Sequence, residues 1–419
     1  VKSREEHARV GRRDSARDIA DVAVVGGGIV GAAAALAAAQ AGLSVVWVVG
    51  DPAHDAVDES ATRDSRVYAL SPSTQRLLER LRVWSQLDAS RLAPVFDMHV
   101  HGDRDGRSTL HFDAYQAATE RLATIVEHRE LVRVLAAAAA YFPGVERIEG
   151  IASQIVVDAD RVTLSTMTGS RAARLVIAAD GARSPTREAL HIATHGRPYA
   201  QRAVVGHFTM SRPHGGAAFQ WFTDEGVVAL LPLASSATEP YAMSLVWSAP
   251  DAVADRLIAE GPDAVAARLS ALCATRTSTS LGPLTASGTL VAIPLVVQWA
   301  EHVIAPRAVL VGDAAHVIHP LAGQGLNLGF GDVEALIDIL VARESFRDCG
   351  DRVLLRRYER QRAAPVRVMR EITDGLARLF ASARPEVATL RRLGMHALDR
   401  LVPLKRLLMR QAAGGTPLD

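Results

Sequence analysis

Lysine is almost missing from this chain: Lys2 and Lys405 are the only two, so 45 of the 47 cationic side chains are arginine. With the abundance of alanine, that bias reflects genome composition, not function. Cysteine is as scarce. Cys273 and Cys349 alone supply neither a disulfide framework nor a C-x-x-C zinc spacing, so a stapled secreted scaffold and a zinc module are excluded. A reducing, cytoplasmic compartment is expected. Neither sign of charge is in excess, 47 Lys+Arg standing against 46 Asp+Glu, and nucleic-acid binding, which needs a basic surface to displace counterions, is excluded. What is present is apolar bulk: 49% of 419 residues are hydrophobic, enough for two or three domains with cores of their own. Residues 1–20 carry six cations and four anions without an apolar stretch, and are expected to form a flexible polar extension rather than a targeting signal.

Residues 22–50 contain no charge and are long enough for a membrane span. Five glycines interrupt them, however, and valine-rich flanks enclose an alanine-rich middle, a pattern of strand, helix and strand. The turn between the first strand and the helix reads Gly26-Gly27-Gly28-Ile29-Val30-Gly31. In a G-x-G-x-x-G at this place Gly26 permits the tight turn, Gly28 lets backbone approach a pyrophosphate, and Gly31 lets helix and strand pack closely. The diphosphate then rests on the N–H groups of Ile29, Val30 and Gly31, at the positive end of the helix. An acidic residue for the adenosine ribose is expected about 20 residues on, which makes Asp51 the candidate.

Two further strand-to-turn clusters follow. One is Val176-Ile177-Ala178-Ala179-Asp180-Gly181; the other is Leu310-Val311-Gly312-Asp313-Ala314-Ala315-His316, continuing through Pro320 to Gly323-Gln324-Gly325-Leu326-Asn327. A strand ending in Gly-Asp places a carboxylate at the carboxyl edge of the sheet, where open α/β sheets bind ligands. Between them, from about Gln201 to Trp247, strands alternate and carry Phe208, Phe219, Trp221, Phe222, Tyr241 and Trp247. The aromatic face of that antiparallel sheet either covers a flat substrate or forms an ordinary core. A single helix is expected over 252–272.

These clusters, with Arg66-Val67-Tyr68-Ala69-Leu70-Ser71 and Tyr358-Glu359-Arg360-Gln361-Arg362, resemble the aromatic-ring hydroxylases among FAD monooxygenases, of the para-hydroxybenzoate hydroxylase fold. The likeness is greatest to the hydroxylases of ubiquinone biosynthesis and runs over nearly the whole chain. It implies an α/β (overall α+β) fold: a discontinuous FAD-binding Rossmann-like domain of parallel sheet over 21–95, 117–187 and 285–345, an antiparallel substrate domain over 96–116 and 188–284, and a helical region over 346–419. It implies FAD as cofactor and NAD(P)H as transient reductant, with O2 adding to the reduced flavin and an oxygen passing from the resulting hydroperoxide to a phenol ring. No metal is expected.

The resemblance also assigns residues. Gly26, Gly28 and Gly31 hold the diphosphate; Gly312 and Asp313 meet the ribityl or phosphate region; Pro320, Gly323, Gly325, Leu326 and Asn327 lie along the flavin ring. Asp180 serves both FAD and the nicotinamide, Arg66 lies close to the flavin, and Arg129 or Arg133 stands on the helix beside it. The family usually ends its second strand in glutamate, where this chain has Val49, so Asp51 replaces that residue or FAD is held less tightly. His316 and His319 match positions near the flavin edge and serve either proton handling or hydrogen bonding within the turn. Gln220 and Tyr241, with His207, are candidates for lining the substrate sheet. The expected substrate is a small aromatic with a lipid tail, and other ubiquinone-biosynthesis proteins are expected partners. Seven cations against Glu386 and Asp399 over 384–410, interleaved with leucines, suit either peripheral membrane contact or a solvated outer helix.

Overall fold

The structure, a computed structural model, describes residues 19–50, 63–102, 109–236, 239–276, 281–319 and 323–381. Asp51, Pro320 and the basic segment 384–410 lie outside these residues, as does most of the expected N-terminal extension. Ile19 and Ala20, counted with that extension, instead open the first strand.

Sequence pattern explains why a parallel sheet forms first. The strands Ile19–Val25 and Val45–Val49 are buried valine-rich runs, and between them lies the helix Ile29–Gln40, ten of whose twelve residues are buried. Its alanines keep the helix axis close to the sheet. Five strands run parallel in the order Ala308–Leu310, Gly169–Ala178, Ile19–Val25, Val45–Val49 and Val145–Glu149. The antiparallel meander of Gln154–Val157 and Val162–Thr166 joins the early part of the strand Gly169–Ala178, as the sequence pattern leads one to expect. The edge strand Val145–Glu149 has three charged residues among its five and gives little signal of its own.

A second sheet has nine strands and is mostly antiparallel. Its centre is the pairing of Thr194–Met210 with Ala242–Pro250, followed by Gly226–Pro232 and Ala217–Thr223. Leu284–Ala286 and Val291–Ala300 also belong here, paired to Thr194–Met210. The expected domain boundary at residue 285 therefore moves: the chain returns to the parallel sheet at the strand Ile304–Ala305. Gly261, with φ +82°, and Pro262 split the single helix expected over 252–272 into Asp251–Glu260 and Pro262–Arg276. A small third sheet, Val67–Leu70, Ala123–Glu127 and Ala93–Val95, lies between the two larger ones.

The large aromatics settle which face of the nine-stranded sheet is core. Phe208, Phe219, Trp221 and Trp247 are all buried in one cluster with Leu257, Val265 and Leu269 of the two helices Asp251–Glu260 and Pro262–Arg276. They form the helix-covered side, so of the two readings of this aromatic face the ordinary core is the one the fold adopts. Tyr241 packs on the same side. The opposite face meets the third sheet through Ala218, Ala242, Ile125 and Val95.

Candidate active site

Parallel pairing brings three sequence-distant turns to one edge. Gly26, Asp180 and Asp313 follow the carboxyl ends of three adjacent strands, Ile19–Val25, Gly169–Ala178 and Ala308–Leu310, which is where α/β sheets bind their ligands. Gly26 has φ +129°, and a Cβ there would lie 2.2 Å from the Ala179 carbonyl oxygen; a Cβ on Gly31 would lie 2.1 Å from the Gly26 oxygen. Both glycines are required by close backbone approach. Their turn is further anchored by the buried Trp47, whose indole N–H donates to the Gly26 oxygen at 2.9 Å.

Gly28 differs from both. Its backbone is extended (φ −73°, ψ −179°), it caps the helix Ile29–Gln40 without a side chain, and no acidic residue stands in the first turn. A Cβ there would meet nothing within 4 Å. Helix N-termini leave N–H groups without intrahelical partners, and here they open onto free space with the helix dipole behind them. The geometry fits the diphosphate of FAD.

Asp313 stands at the same sheet edge: its side chain is solvent-accessible, yet protein surrounds it closely enough that desolvation raises its carboxyl above the ordinary range, opposed by His316 and reinforced by Asp332. No described residue donates a hydrogen bond to it, leaving both oxygens available to ligand hydroxyls. The turn beneath is held by Asp332, which accepts from the Gly312 N–H at 2.9 Å, His316 Nε2 at 2.7 Å and Arg362 Nε at 2.7 Å. Burial disfavours the imidazolium of His316, but the charge and hydrogen bond of Asp332 outweigh it and raise its pKa. His316, through its Nε2 contact with Asp332, fixes the Gly-Asp turn. Tyr358, one helical turn before Arg362, donates to the Leu310 oxygen at 3.0 Å. Buried Arg187 ties the two Asp-containing turns together, donating to the oxygens of Ala314 and Ala182 at 3.0 and 2.9 Å. Trp47, Asp332, Arg362 and Arg187 escape sequence reasoning, although Tyr358 and Arg362 lie in a quoted motif.

Asp180 spends both oxygens within its own turn, accepting from Ser184 Oγ and from the Thr186 N–H at 2.9 Å. Asn327 is engaged on every side. Its Oδ1 accepts from the Ser71 N–H at 3.0 Å and Thr74 Oγ1 at 2.8 Å, and its Nδ2 donates to the Ala69 oxygen at 2.9 Å. It thereby locks the 66–71 motif to the start of the helix Gly325–Val341. Gly323 (φ +60°) lies against Ala69, a Cβ there being 3.5 Å from that of Ala69, and Leu326 packs on the main core. Gly312 and Gly329 both lie against Val30, bringing this helix to the diphosphate turn.

The backbone N–H groups of Arg66 and Arg129 both donate to the buried Asp64 carboxylate, at 2.9 and 3.0 Å. Arg133 is turned outward and paired with Glu130 at 2.6 Å. Asp64 belongs to a seam of charges between the third sheet and the nine-stranded one. Arg63 reaches Glu239 at 2.5 Å, Glu127 at 3.4 Å and the Ala234 oxygen at 2.6 Å, and Arg91 reaches Glu127 at 3.0 Å. His207 Nε2 lies 2.8 Å from the Asp64 carbonyl oxygen. A carbonyl only accepts, so Nε2 carries the hydrogen and Nδ1 is a lone pair; burial lowers the pKa of the ring. His319 is also buried, edge-on to Tyr199 with centroids 4.7 Å apart and Nε2 3.3 Å from Gln201 Oε1. Burial pushes its pKa down to about 4, so it is neutral at pH 7.

A family model described as "FAD binding domain" matches residues 19–373. A ubiquinone hydroxylase, UbiL, of Rhodospirillum rubrum is 35% identical over 404 residues, covering 96% of this chain and 91% of that protein. The 3-demethoxyubiquinol 3-hydroxylase of Escherichia coli is 34% identical, with 94% and 98% covered. Among solved structures, the p-nitrophenol 4-monooxygenase PnpA of Pseudomonas putida superimposes with a TM-score of 0.73 at 21% identity, covering 96% of this chain and 99% of that one. Klebsiella pneumoniae HpxO, solved with FAD and uric acid, gives 0.69 at 18%, with 95% and 98% covered; at these identities the two structures share the fold.

Proposed function

The chain belongs to the FAD-binding-domain family and, within it, to the hydroxylases of ubiquinone biosynthesis, and from that premise we propose that it hydroxylates the ring of a lipid-tailed phenol with NAD(P)H as reductant. It is an FAD-dependent aromatic-ring monooxygenase. The observation that carries the proposal is the pairing of an uncapped, anion-receptive helix start at Gly28 with a carboxylate, Asp313, that no described residue satisfies. Bound FAD supplies the electron transfer and oxygen activation that no side chain offers.

The chain's own groups bind, orient and exclude water. The N–H groups of Ile29, Val30 and Gly31 would hold the diphosphate, and Asp313 would accept from hydroxyls of the cofactor chain. Asn327 and Asp332, both engaged by protein groups, would fix the two turns that receive the cofactor. The seam of Arg63, Asp64, Glu127 and Glu239 closes the substrate sheet onto the flavin elements, which shields the reacting centre from bulk water. The phenol is held between that sheet face and the 66–71 segment, and its orientation sets which ring carbon reacts.

No described helix is long and apolar enough to cross a membrane. Contact with the bilayer that holds the lipid tail belongs to the basic segment 384–410 in this proposal, and other proteins of the same biosynthesis are its proposed partners. The test uses FAD-loaded protein, NADPH and a 2-prenylphenol. Addition of the phenol is expected to accelerate O2 uptake and to give about one hydroxylated product per NADPH oxidised. NADPH oxidation that returns all the oxygen as hydrogen peroxide, with the phenol recovered intact, contradicts the proposal.

A further inference from the structure

Strand register fixes which side chains share the sheet face turned toward the flavin elements. In one row Gln220 lies between Val100 and Ala229, and the row continues through Val246 to Val205. In the next row Leu231, Ser244 and His207 are cross-strand neighbours. Ala218 and Phe222, two residues either side of Gln220, complete its surroundings. All of these neighbours of Gln220 are uncharged, and most are small or apolar. From Gln220 an apolar cluster of Val100, Leu110 and Phe222 continues toward the edge strand Thr109–Asp113.

Three polar side chains on this face lack full partners. The Oγ of Ser244 and Nδ1 of His207 are sealed from solvent with no hydrogen bond. Gln220 differs from them. Its residue is 7% exposed, its amide makes no hydrogen bond to any described residue, and its polar atoms are not among the sealed ones. An amide in a largely buried residue that no protein group pairs, yet whose polar atoms stay accessible, is free to bond a bound molecule, and native structures seldom retain one without a use.

We propose that Gln220 is the residue that grips an oxygen substituent on the substrate's ring, an inference that rests on the hydroxylase reading above. An amide both donates and accepts, and a phenolic hydroxyl does the same, so one side chain satisfies both functions of one hydroxyl. Arg63, a nearby cation of the seam, is committed to Glu239, Glu127 and a carbonyl. A neutral amide among apolar neighbours offers a carboxylate nothing to offset its desolvation. The site therefore selects a neutral phenol over an aromatic acid, with the apolar cluster beside it receiving a hydrocarbon substituent.

The test compares 2-allylphenol with allylbenzene, which lacks the hydroxyl, by titrating each into FAD-loaded protein and following the flavin spectrum. The wild type is expected to bind the phenol at least tenfold more tightly than the hydrocarbon. In Gln220→Met the phenol's affinity falls about tenfold while that of allylbenzene stays, and the preference disappears. Gln220→Leu is measured beside it so that one misfolded variant does not decide the matter. A preference that survives both substitutions overturns the role of Gln220 and leaves the hydroxylase reading standing. Wild-type protein that holds flavin but binds neither compound overturns that reading, and this inference with it.

Discussion

Gly28→Asp yields a folded protein that no longer retains FAD. The backbone at this position is extended, and a Cβ meets nothing within 4 Å, so the fold accepts the side chain. Aspartate is among the preferred residues at a helix N-cap, where its carboxylate accepts from the N–H groups of the first turn, worth about 1 kcal/mol. The substitution should therefore leave the melting temperature unchanged or raise it. The same carboxylate occupies the donors that hold the diphosphate, and like charges about 4 Å apart repel by about 4 kcal/mol at an effective dielectric of about 20. That corresponds to roughly a thousandfold loss of affinity, read as a colourless preparation and a failed FAD titration. Gly31→Ala makes the contrast, since its Cβ would collide with the Gly26 oxygen and should cost the fold itself. Stoichiometric flavin in folded Gly28→Asp removes the diphosphate assignment.

Asp332→Asn is expected to produce the largest loss of stability. Asp332 is 1% exposed and is the only anion with which the described structure balances both His316 and Arg362. Removing one member of a buried ion network costs about 3–5 kcal/mol, a large part of the roughly 5–15 kcal/mol that holds a domain folded. The pH dependence follows from the two shifts. The pKa of His316 is raised above its ordinary 6.5, so its contribution is complete below that value and is lost as pH rises through the folded one. Asp332 is held below its ordinary 3.8 by His316 and Arg362, which outweigh burial, so its contribution is complete above that value and is lost as pH falls. Denaturant titrations should show a stability plateau between these limits in the wild type and a lower, flatter profile in Asp332→Asn. An unchanged midpoint at pH 6 contradicts the assignment.

What the sequence discloses and what it hides divide along physical lines. The turn at Gly26–Gly31 is legible because close backbone approach demands Gly26 and Gly31, and the charge-free valine runs beside it announce strands buried on both faces. Asp332, Arg362 and Trp47 are silent because their work depends on partners brought close only by the sheet. The aromatic strands show that one face is apolar without showing what covers it, and helices Asp251–Glu260 and Pro262–Arg276 do. Asn327 sits in a motif whose position is informative, yet its side chain serves the backbone of the 66–71 segment.

Oxygen transfer to a phenol is the central claim, and isotopic labelling tests it most directly. FAD-loaded protein, NADPH and a 2-prenylphenol are incubated under labelled O2 in ordinary water, and the product is weighed by mass spectrometry. The account predicts one labelled oxygen in each hydroxylated ring and none when the label is supplied in water. A hydroxylated product carrying its new oxygen from water, or an unlabelled oxidised ring without inserted oxygen, contradicts it.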